Sequence, residues 1–231
     1  MNYHPGHDLL EQYAAGTLPM PVALCVSVHM GFCAQCSAEV NALQALSGML
    51  LEELPGVPVA DAALHHVFAR IDRVDSNTQI ADARITRADD VLPAATGAER
   101  SSTAAAKVPK ALRKLVPGGF SKLNWLRVLP SLRIATLDAG CDDYSVMLHR
   151  VSPGGSVAMH DHRGLEFTLV LSGSFSDEKG VYTDGDFLLR EPQQPHRPFA
   201  AQHEECLCLA VQQAPVRFTG FFWRLLNPFL R

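Results

Sequence analysis

Histidine and cysteine residues with metal-ligand spacing occur near the start of the chain. His29, Cys33 and Cys36 follow one another at offsets of four and three residues. On a continuous helix, side chains at these offsets project from one face, so we expect the three to share one site. Two thiolates and an imidazole select Zn²⁺, and a structural zinc site takes four protein ligands. The residue types leave the fourth ligand open between His4 and His7.

Two other interpretations of Cys33 and Cys36 are weaker. A redox-active C-x-x-C pair belongs at a strand-to-helix junction of a βαβ unit, and no such unit is predicted around these cysteines. The two could also be small residues of a buried core, with His29 nearby by coincidence. The three-residue match to a zinc motif favours zinc over both.

A second group of candidate metal ligands lies in the C-terminal half. His160, His162 and Glu166 fall in a stretch that has the form of the first cupin motif, and His196 ends a stretch that resembles the second. Residues two apart on a strand point the same way, so His160 and His162 both face the interior of a barrel, to which Glu166 can return after a turn. Three histidines and a carboxylate suit Zn²⁺, Fe²⁺ or Mn²⁺, and residue types alone do not choose among them.

Two further cysteines, Cys206 and Cys208, lie two apart on a predicted strand and so share a face. Burial in the core is the favoured interpretation, and a redox-responsive role is the alternative. Their spacing is too short for an easy disulfide between them. The remaining cysteines and several histidines have no partner at a ligand spacing and are interpreted as structural or solvent-facing: Cys25, Cys141, His65, His66, His149 and His203. Asp186 and Arg163 are expected to support turns and strand ends.

The sequence pattern changes between the two candidate sites. Up to residue 75, apolar residues recur at three- and four-residue steps, which predicts helices: Asp8 to Ala15, one long helix from about Val22 to Leu54, and another after Asp61 with an amphipathic face. Residues 76–108 are rich in Ala, Ser, Thr and Asp without periodicity, which predicts a flexible linker.

From residue 109 onward, short runs rich in Val, Leu, Phe and Thr predict β-strands. The clearest runs are Leu132 to Leu137, Tyr144 to Val151, Phe167 to Leu171 and Phe187 to Leu189. We therefore expect an α+β two-domain protein. It has an N-terminal helical zinc-binding bundle over residues 1–75 and a C-terminal all-β cupin barrel over residues 109–231.

Composition and charge limit the classes of function. The chain is 47% hydrophobic and 19% charged, as in ordinary globular proteins. No apolar run approaches the ~20 residues that span a bilayer, and the first residues do not have the form of a secretion signal, so a cytoplasmic protein without membrane contact is expected. Residues 1–75 hold eight acidic residues against two arginines, a net charge of −6. This balance disfavours nucleic-acid binding and favours a basic protein partner.

The motif of His29, Cys33 and Cys36, with a histidine upstream, resembles the zinc anti-sigma domain of ChrR-type anti-sigma factors. The opening of the chain from His4 to Leu18 is similar to the same family. This resemblance implies His4 as the fourth zinc ligand. The segment 173–180 and the pair Cys206 and Cys208 are similar to the C-terminal cupin domain of that family, so the resemblance covers most of the chain apart from the linker.

The resemblance implies a regulatory function. The N-terminal zinc domain would sequester an extracytoplasmic-function sigma factor in a 1:1 complex, and the cupin domain would sense singlet oxygen or an organic peroxide and release it. It implies no catalysis, Zn²⁺ in the first site, and Zn²⁺ or another divalent metal in the second. A fragment of residues 1 to about 85 would then still inhibit the sigma factor without responding to the signal.

The main alternative is an enzyme. Three histidines and a glutamate around iron can activate O₂ in a cupin dioxygenase, acting on a diketone or flavonol-like substrate. The helical domain would then have no evident task. A zinc-finger protein that binds DNA is disfavoured because the domain that would contact phosphates is acidic.

Overall fold

The computed structural model of the protein describes residues 1–77, 107–214 and 216–218. Its four α-helices are α1 (His7–Ala14), α2 (Met20–Met30), α3 (Ala34–Glu52) and α4 (Ala63–Asn77). Short 3₁₀ helices at Lys110–Leu112 and Phe120–Lys122 lead into the strands. The predicted linker lies almost wholly outside the described residues.

Eleven strands occur in the described part of the C-terminal region. They are β1 (Leu126–Leu129), β2 (Leu132–Leu137), β3 (Ser145–Val151), β4 (His160–His162), β5 (Glu166–Ser172), β6 (Ser174–Asp177), β7 (Gly180–Thr183), β8 (Phe187–Arg190), β9 (Phe199–Ala200), β10 (Cys206–Gln212) and β11 (Val216–Phe218). The four strands expected from sequence are all present, and that of β2 has the predicted bounds.

The strands pair in antiparallel fashion throughout the described residues. Six of them form one sheet in the order β1-β2-β3-β10-β5-β8, three form a second in the order β7-β6-β9, and β4 pairs with β11. β10 lies at the centre of the large sheet, with Cys208 opposite His149 on β3 and Val170 on β5. Every residue of β10 is buried, because both faces of the strand are covered. An all-β C-terminal region was correctly predicted.

The predicted single helix from Val22 to Leu54 is wrong. The chain leaves the helical path after Met30, turns through Gly31 and Phe32, and begins α3 at Ala34. At a rise of ~1.5 Å per residue, an unbroken helix would separate His29 and Cys36, which are seven positions apart, by about 10 Å along its axis. The break therefore removes the arrangement expected from sequence, in which one helix face carried all the ligands.

The two faces of the large sheet pack against different partners. On one face, Leu148 of β3 and Leu209 of β10 join a core that also contains Leu10 of α1 and Val26 of α2. The other face, with residues such as Val170 and Leu188, forms a second core that also contains Phe175 of β6. Described residues up to Met49 and those from 107 onward accordingly form one compact unit. The domain boundaries given from sequence stay a prediction.

Described residues from Leu50 to Asn77 form a second unit. Its helix α4 has the predicted amphipathic pattern, with apolar residues at Leu64, Val67, Phe68 and Ile71. These side chains are 48% to 62% exposed. In the portion of the chain that the structure covers, no helix combines the length and apolarity that crossing a membrane requires.

Candidate metal centres

The turn between α2 and α3 brings one histidine and two cysteines together. His29 lies in the last turn of α2, Cys33 lies in the connecting turn, and Cys36 lies in the first turn of α3. His4, from the segment before α1, completes a group whose ligand atoms all lie within 4.8 Å of one another. His29, Cys33 and Cys36 are buried, and His4 is exposed at the edge of the group.

The distances in this N-terminal group fit a tetrahedral ion. Nδ1 of His4 lies 3.4 Å from Sγ of Cys33 and 3.5 Å from Sγ of Cys36, and Nε2 of His29 lies 3.4 Å from Sγ of Cys36. Zinc bonds of ~2.3 Å to sulfur and ~2.05 Å to nitrogen at a tetrahedral angle place N and S about 3.6 Å apart. The four side chains thus have both the types and the spacing of a zinc site.

Burial and the neighbouring Cys33 thiol raise the pKa of Cys36 to about 12. A thiol with so high a pKa stays protonated near neutral pH unless a metal cation displaces the proton to solvent, so metal binding at this group would release protons. The backbone N–H of Cys36 also donates to Sγ of Cys33 at 3.4 Å.

His7, the other candidate for the fourth position, lies elsewhere. Its ring nitrogens contact the carboxylates of Glu39 and Glu11. The hydrogen bond with Glu39 and the charge of Glu11 raise the pKa of His7, which favours the protonated ring that cannot bind a metal. The structure therefore brings His4, and not His7, to the cysteines.

The turn between β7 and β8 supports this N-terminal group from the β-region. Nδ1 of His29 donates to the backbone carbonyl of Gly185 at 2.8 Å, which orients Nε2 towards Cys36. The buried Asp186 carboxylate accepts the backbone N–H groups of Asn2 at 2.6 Å and Tyr3 at 3.0 Å. The N–H of Phe187 donates to the carbonyl of Tyr3 at 3.0 Å. The segment that carries His4 is thus held by the strands.

A second candidate metal group lies inside the β-region. The ring nitrogens of His160 and His162 on β4 and of His196 lie within 4.8 Å of one another. Nδ1 of His160 hydrogen-bonds the carbonyl of Ala158 at 2.8 Å, and Nδ1 of His196 hydrogen-bonds that of Gln194 at 3.2 Å. In this arrangement Nδ1 carries the proton and Nε2 presents its lone pair to an ion.

The electrostatics of this C-terminal group favour neutral ligands. Burial and the neighbouring His196 lower the pKa of His160 to about 4, and burial lowers that of His196. Nδ1 of His162 is buried without a hydrogen bond to any described residue, and its buried Nε2 contacts only the carboxylate of Glu166, at 2.9 Å. Buried polar atoms without partners are uncommon, and a metal ion would satisfy one of these nitrogens.

Glu166, the expected fourth ligand of this group, lies beside the histidines. Its Oε2 lies 2.9 Å from Nε2 of His162, and its Oε1 accepts a hydrogen bond from Gln212 at 2.7 Å. Burial opposes ionisation, but the contacts with His162 and Gln212 outweigh it and lower the pKa of Glu166. The carboxylate is not among the atoms that lie mutually within 4.8 Å, so its role as a ligand stays a prediction.

Beside the three histidines lies a cavity of about 310 Å³. Cys206 and Cys208 line it, with their sulfur atoms 3.6 Å apart. The contact with Cys206, together with burial, raises the pKa of Cys208 well above its usual range. Burial of the pair was correctly predicted, and the alternative of a redox-responsive role stays a prediction.

His149 also lines the cavity. From the sequence it was interpreted as structural or solvent-facing. The signal that could have found it is the two-residue alternation on β3, in which Ser145, Met147, His149 and Val151 all line the cavity. The contribution of Gly185 to the N-terminal group was also missed, because a backbone carbonyl leaves no mark in the sequence. The prediction that Asp186 supports a turn is correct: it accepts the N–H of Thr183 at 2.7 Å.

Similarity to known proteins extends over the whole chain. Residues 117–216 match the family model described as the ChrR cupin-like domain. The anti-sigma-E factor ChrR of Cereibacter sphaeroides is 34% identical over 232 residues, covering all of this chain and 99% of the relative. The chain belongs to the ChrR family of anti-sigma factors.

A solved structure of a ChrR protein confirms the predicted fold class. The crystal structure of Rhodobacter sphaeroides SigE in complex with the anti-sigma ChrR matches with 32% sequence identity and a TM-score of 0.72. The match covers 92% of this chain and 99% of that chain. The resemblance to the ChrR family inferred from the motifs is therefore confirmed, and the chain has two groups of side chains able to hold a metal ion.

Proposed function

We propose that this protein is an anti-sigma factor that sequesters an extracytoplasmic-function sigma factor in a 1:1 complex. The observation that carries the proposal is the full-length similarity to a protein named anti-sigma-E factor ChrR. A ChrR protein of similar fold was crystallised with SigE, which supports a sigma factor as the partner. A sigma factor works in the cytoplasm, which is the location we propose for this chain.

The exposed face of α4 supports this partner. Leu64, Val67, Phe68 and Ile71 follow one another at three- and four-residue steps and so form one apolar stripe along the helix. Exposed apolar stripes of this kind are typical of surfaces that bind another protein. The net charge of −6 over residues 1–75 is also complementary to a basic partner.

We propose Zn²⁺ as the ion of the N-terminal group, with His4, His29, Cys33 and Cys36 as its ligands. Two thiolates and two imidazoles form a closed structural donor set, and bound zinc would cross-link α2, α3 and the N-terminal segment. For the C-terminal group we propose His160, His162, His196 and Glu166, which suit Zn²⁺, Fe²⁺ or Mn²⁺.

The cupin region, over residues 109–231, is proposed to sense oxidative stress, in the form of singlet oxygen or an organic peroxide. The support is physical continuity between the regions. Gly185 and Asp186 hold His29 and the segment before His4, while the strand that follows this turn carries Leu188 and Arg190 into the cavity. A change in the cavity that displaced β8 would therefore alter the support of the N-terminal group, and with it the grip on the sigma factor.

Membership of a family of anti-sigma factors supports a regulator over an enzyme. The dioxygenase alternative would require iron in the C-terminal group and oxygen consumption with a diketone or flavonol-like substrate. Metal analysis combined with an oxygen electrode separates the two. Stoichiometric oxygen uptake with such a substrate would overturn the proposed function.

Co-expression tests the proposal directly. The tagged chain is produced with each extracytoplasmic-function sigma factor of the same genome, and we expect one of them to co-purify at 1:1. Phe68→Glu places a charge on the apolar stripe and should abolish co-purification. Ala69→Glu adds the same charge to the opposite side of α4 and should leave it intact. Failure of every sigma factor to bind, or equal loss in both variants, would contradict the proposal.

A further inference from the structure

The walls of the cavity are mostly apolar. Residues from several strands contribute, among them Leu132, Ile134, Val151, Phe175 and Leu188. His160 and His196 of the C-terminal metal group form a polar part of the lining, together with the neighbouring Glu166. Pockets with apolar walls and a few convergent polar groups are typical sites for small molecules.

The size of the cavity limits the occupant. An engineered apolar cavity of ~150 Å³ in a protein core accommodates benzene. The present cavity, at about 310 Å³, has roughly twice that volume. It therefore fits a molecule of about a dozen non-hydrogen atoms.

The charges around the cavity favour an uncharged occupant. Apart from the histidines, its charged lining residues are Glu166, Asp177 and Arg190. Arg190 binds the carboxylate of Asp177 and also donates to the hydroxyl of Tyr182 at 2.9 Å. Asp177 in turn accepts the Tyr182 hydroxyl at 2.9 Å. Because this cation and anion satisfy each other, neither is free to pair with a charged ligand.

One polar group of the lining has no partner. Nε2 of His149 is buried and makes no hydrogen bond with any residue that the structure describes. His149 lies opposite Ile134 on β2 and Cys208 on β10, so its surroundings within the sheet are apolar or weakly polar. An imidazole nitrogen can donate or accept according to its tautomer, so one oxygen atom of a ligand would satisfy it.

We infer that the cavity binds an uncharged, mostly apolar small molecule of about a dozen non-hydrogen atoms, whose single hydrogen-bonding oxygen contacts His149. Apolar alcohols and ketones belong to this class. Such binding is a property of the chain by itself and stands whether or not a sigma factor is the partner.

Calorimetric titration of the full-length protein tests this inference, with decan-2-one and decanoate as probes of equal chain length. Samples with and without metal in the C-terminal group are compared, and the class of ligand is judged on the sample without it, because a bound ion would itself ligate a carboxylate. We expect saturable 1:1 binding of decan-2-one and at least tenfold weaker binding of decanoate. Tighter binding of decanoate would overturn the uncharged class, and no saturable binding of either would overturn the site.

Paired variants locate the site. Leu188→Trp fills the cavity and should abolish binding of decan-2-one, whereas Leu189→Trp, at the exposed neighbouring position, should retain it. Binding that survives Leu188→Trp would place the ligand elsewhere, for instance on exposed helix faces. Circular dichroism checks that each variant is folded.

A second pair tests the hydrogen bond and does not depend on the tryptophan variants folding. His149→Leu should weaken decan-2-one binding about threefold to tenfold, the range expected for one lost hydrogen bond. His203→Leu makes the same replacement at an exposed histidine outside the cavity and should keep the affinity within about twofold. Equal affinities in the two variants would refute the contact with His149.

Discussion

Replacing Asp186 with asparagine tests whether the β-region supports the N-terminal metal group. The carboxylate accepts hydrogen bonds from the backbone N–H groups of Asn2 and Tyr3 through Oδ1, and from the N–H and hydroxyl of Thr183 through Oδ2. All four partners are donors in this arrangement. An asparagine of the same shape must place its NH₂ group against at least one backbone N–H.

The size of the effect follows from these contacts. The least damaging orientation of the amide keeps the bonds to Asn2 and Tyr3 but opposes the N–H of Thr183. A hydrogen bond to a charged group is worth about 1.5–3 kcal/mol, against about 0.5–1.5 kcal/mol for one between neutral groups. The two retained bonds from Asn2 and Tyr3 therefore weaken by about 1–1.5 kcal/mol each. We therefore expect the N-terminal segment to be held less tightly by about 2–3 kcal/mol. If that loss falls on the positioning of His4, zinc affinity drops about 30- to 150-fold, since ~1.4 kcal/mol is a factor of ten.

Competition with a chromophoric zinc chelator measures this affinity. The protein carries His160→Ala and His196→Ala in every sample, so that only the N-terminal group contributes to the signal. Asp142→Asn serves as the control, because Asp142 is exposed and its replacement changes the net charge equally. We expect the control to match the parent protein and Asp186→Asn to release zinc at a much lower chelator concentration.

An unchanged zinc affinity in Asp186→Asn would refute the reasoning, provided that the variant is folded. It would mean that His4 keeps its position without the bonds to Asn2 and Tyr3. A loss of stability in the strands without loss of zinc would point to the same conclusion, since Asp186 would then matter only to its own turn.

Three further predictions concern the same chain. Gly185→Ala should lower the free energy of unfolding by about 2–4 kcal/mol in chemical denaturation, because φ of Gly185 is +85° and the new Cβ would lie 2.7 Å from Cβ of Phe32. The control Gly140→Ala, where φ is +65° and no atom lies near the new Cβ, should lower it by only about 1 kcal/mol. Chelation of zinc should reduce helical circular dichroism and lower the melting temperature, and Zn²⁺ but not Mg²⁺ should restore both. In the native protein, iodoacetamide should label the partly exposed Cys141 at least tenfold faster than the buried Cys208, and denaturant should remove the difference as followed by mass spectrometry.

Local sequence patterns predicted the strands, and they picked out most of the side chains that the structure brings together in two groups. The run from Leu132 to Leu137 is rich in Leu, Ile and Thr and is bounded by Pro130 and Asp138, so its strand could be placed at both ends. Each metal group has members that lie close together in the sequence, at positions 29, 33 and 36 and at positions 160 and 162. Such short spacings allow few arrangements of the side chains relative to one another. His4 could be chosen over His7 only through the family resemblance. His7 begins α1 and His4 lies three residues before it, so their positions in the sequence do not separate them.

The break between α2 and α3 was not predicted, because apolar residues continue at helical steps through the turn. Gly31 was the available signal, since glycine weakens a helix by about 1 kcal/mol. The position of His149 was missed for a different reason. Its neighbours in space, Ile134 and Cys208, come from other strands, and only strand register brings them together.

The shared core changes how sequestration and sensing should be separated. Leu10 and Val26 of the helices pack in one cluster with Leu148 and Leu209 of the sheet. A fragment that ends near residue 85 would expose this apolar surface to water and lose the hydrogen bonds from Gly185 and Asp186. Failure of such a fragment to inhibit a sigma factor would therefore report on its folding rather than on the location of the sensor. Variants of the full chain, such as Asp186→Asn, weaken the connection between the regions while leaving both faces of the sheet covered, so they separate the two functions more cleanly than truncation does.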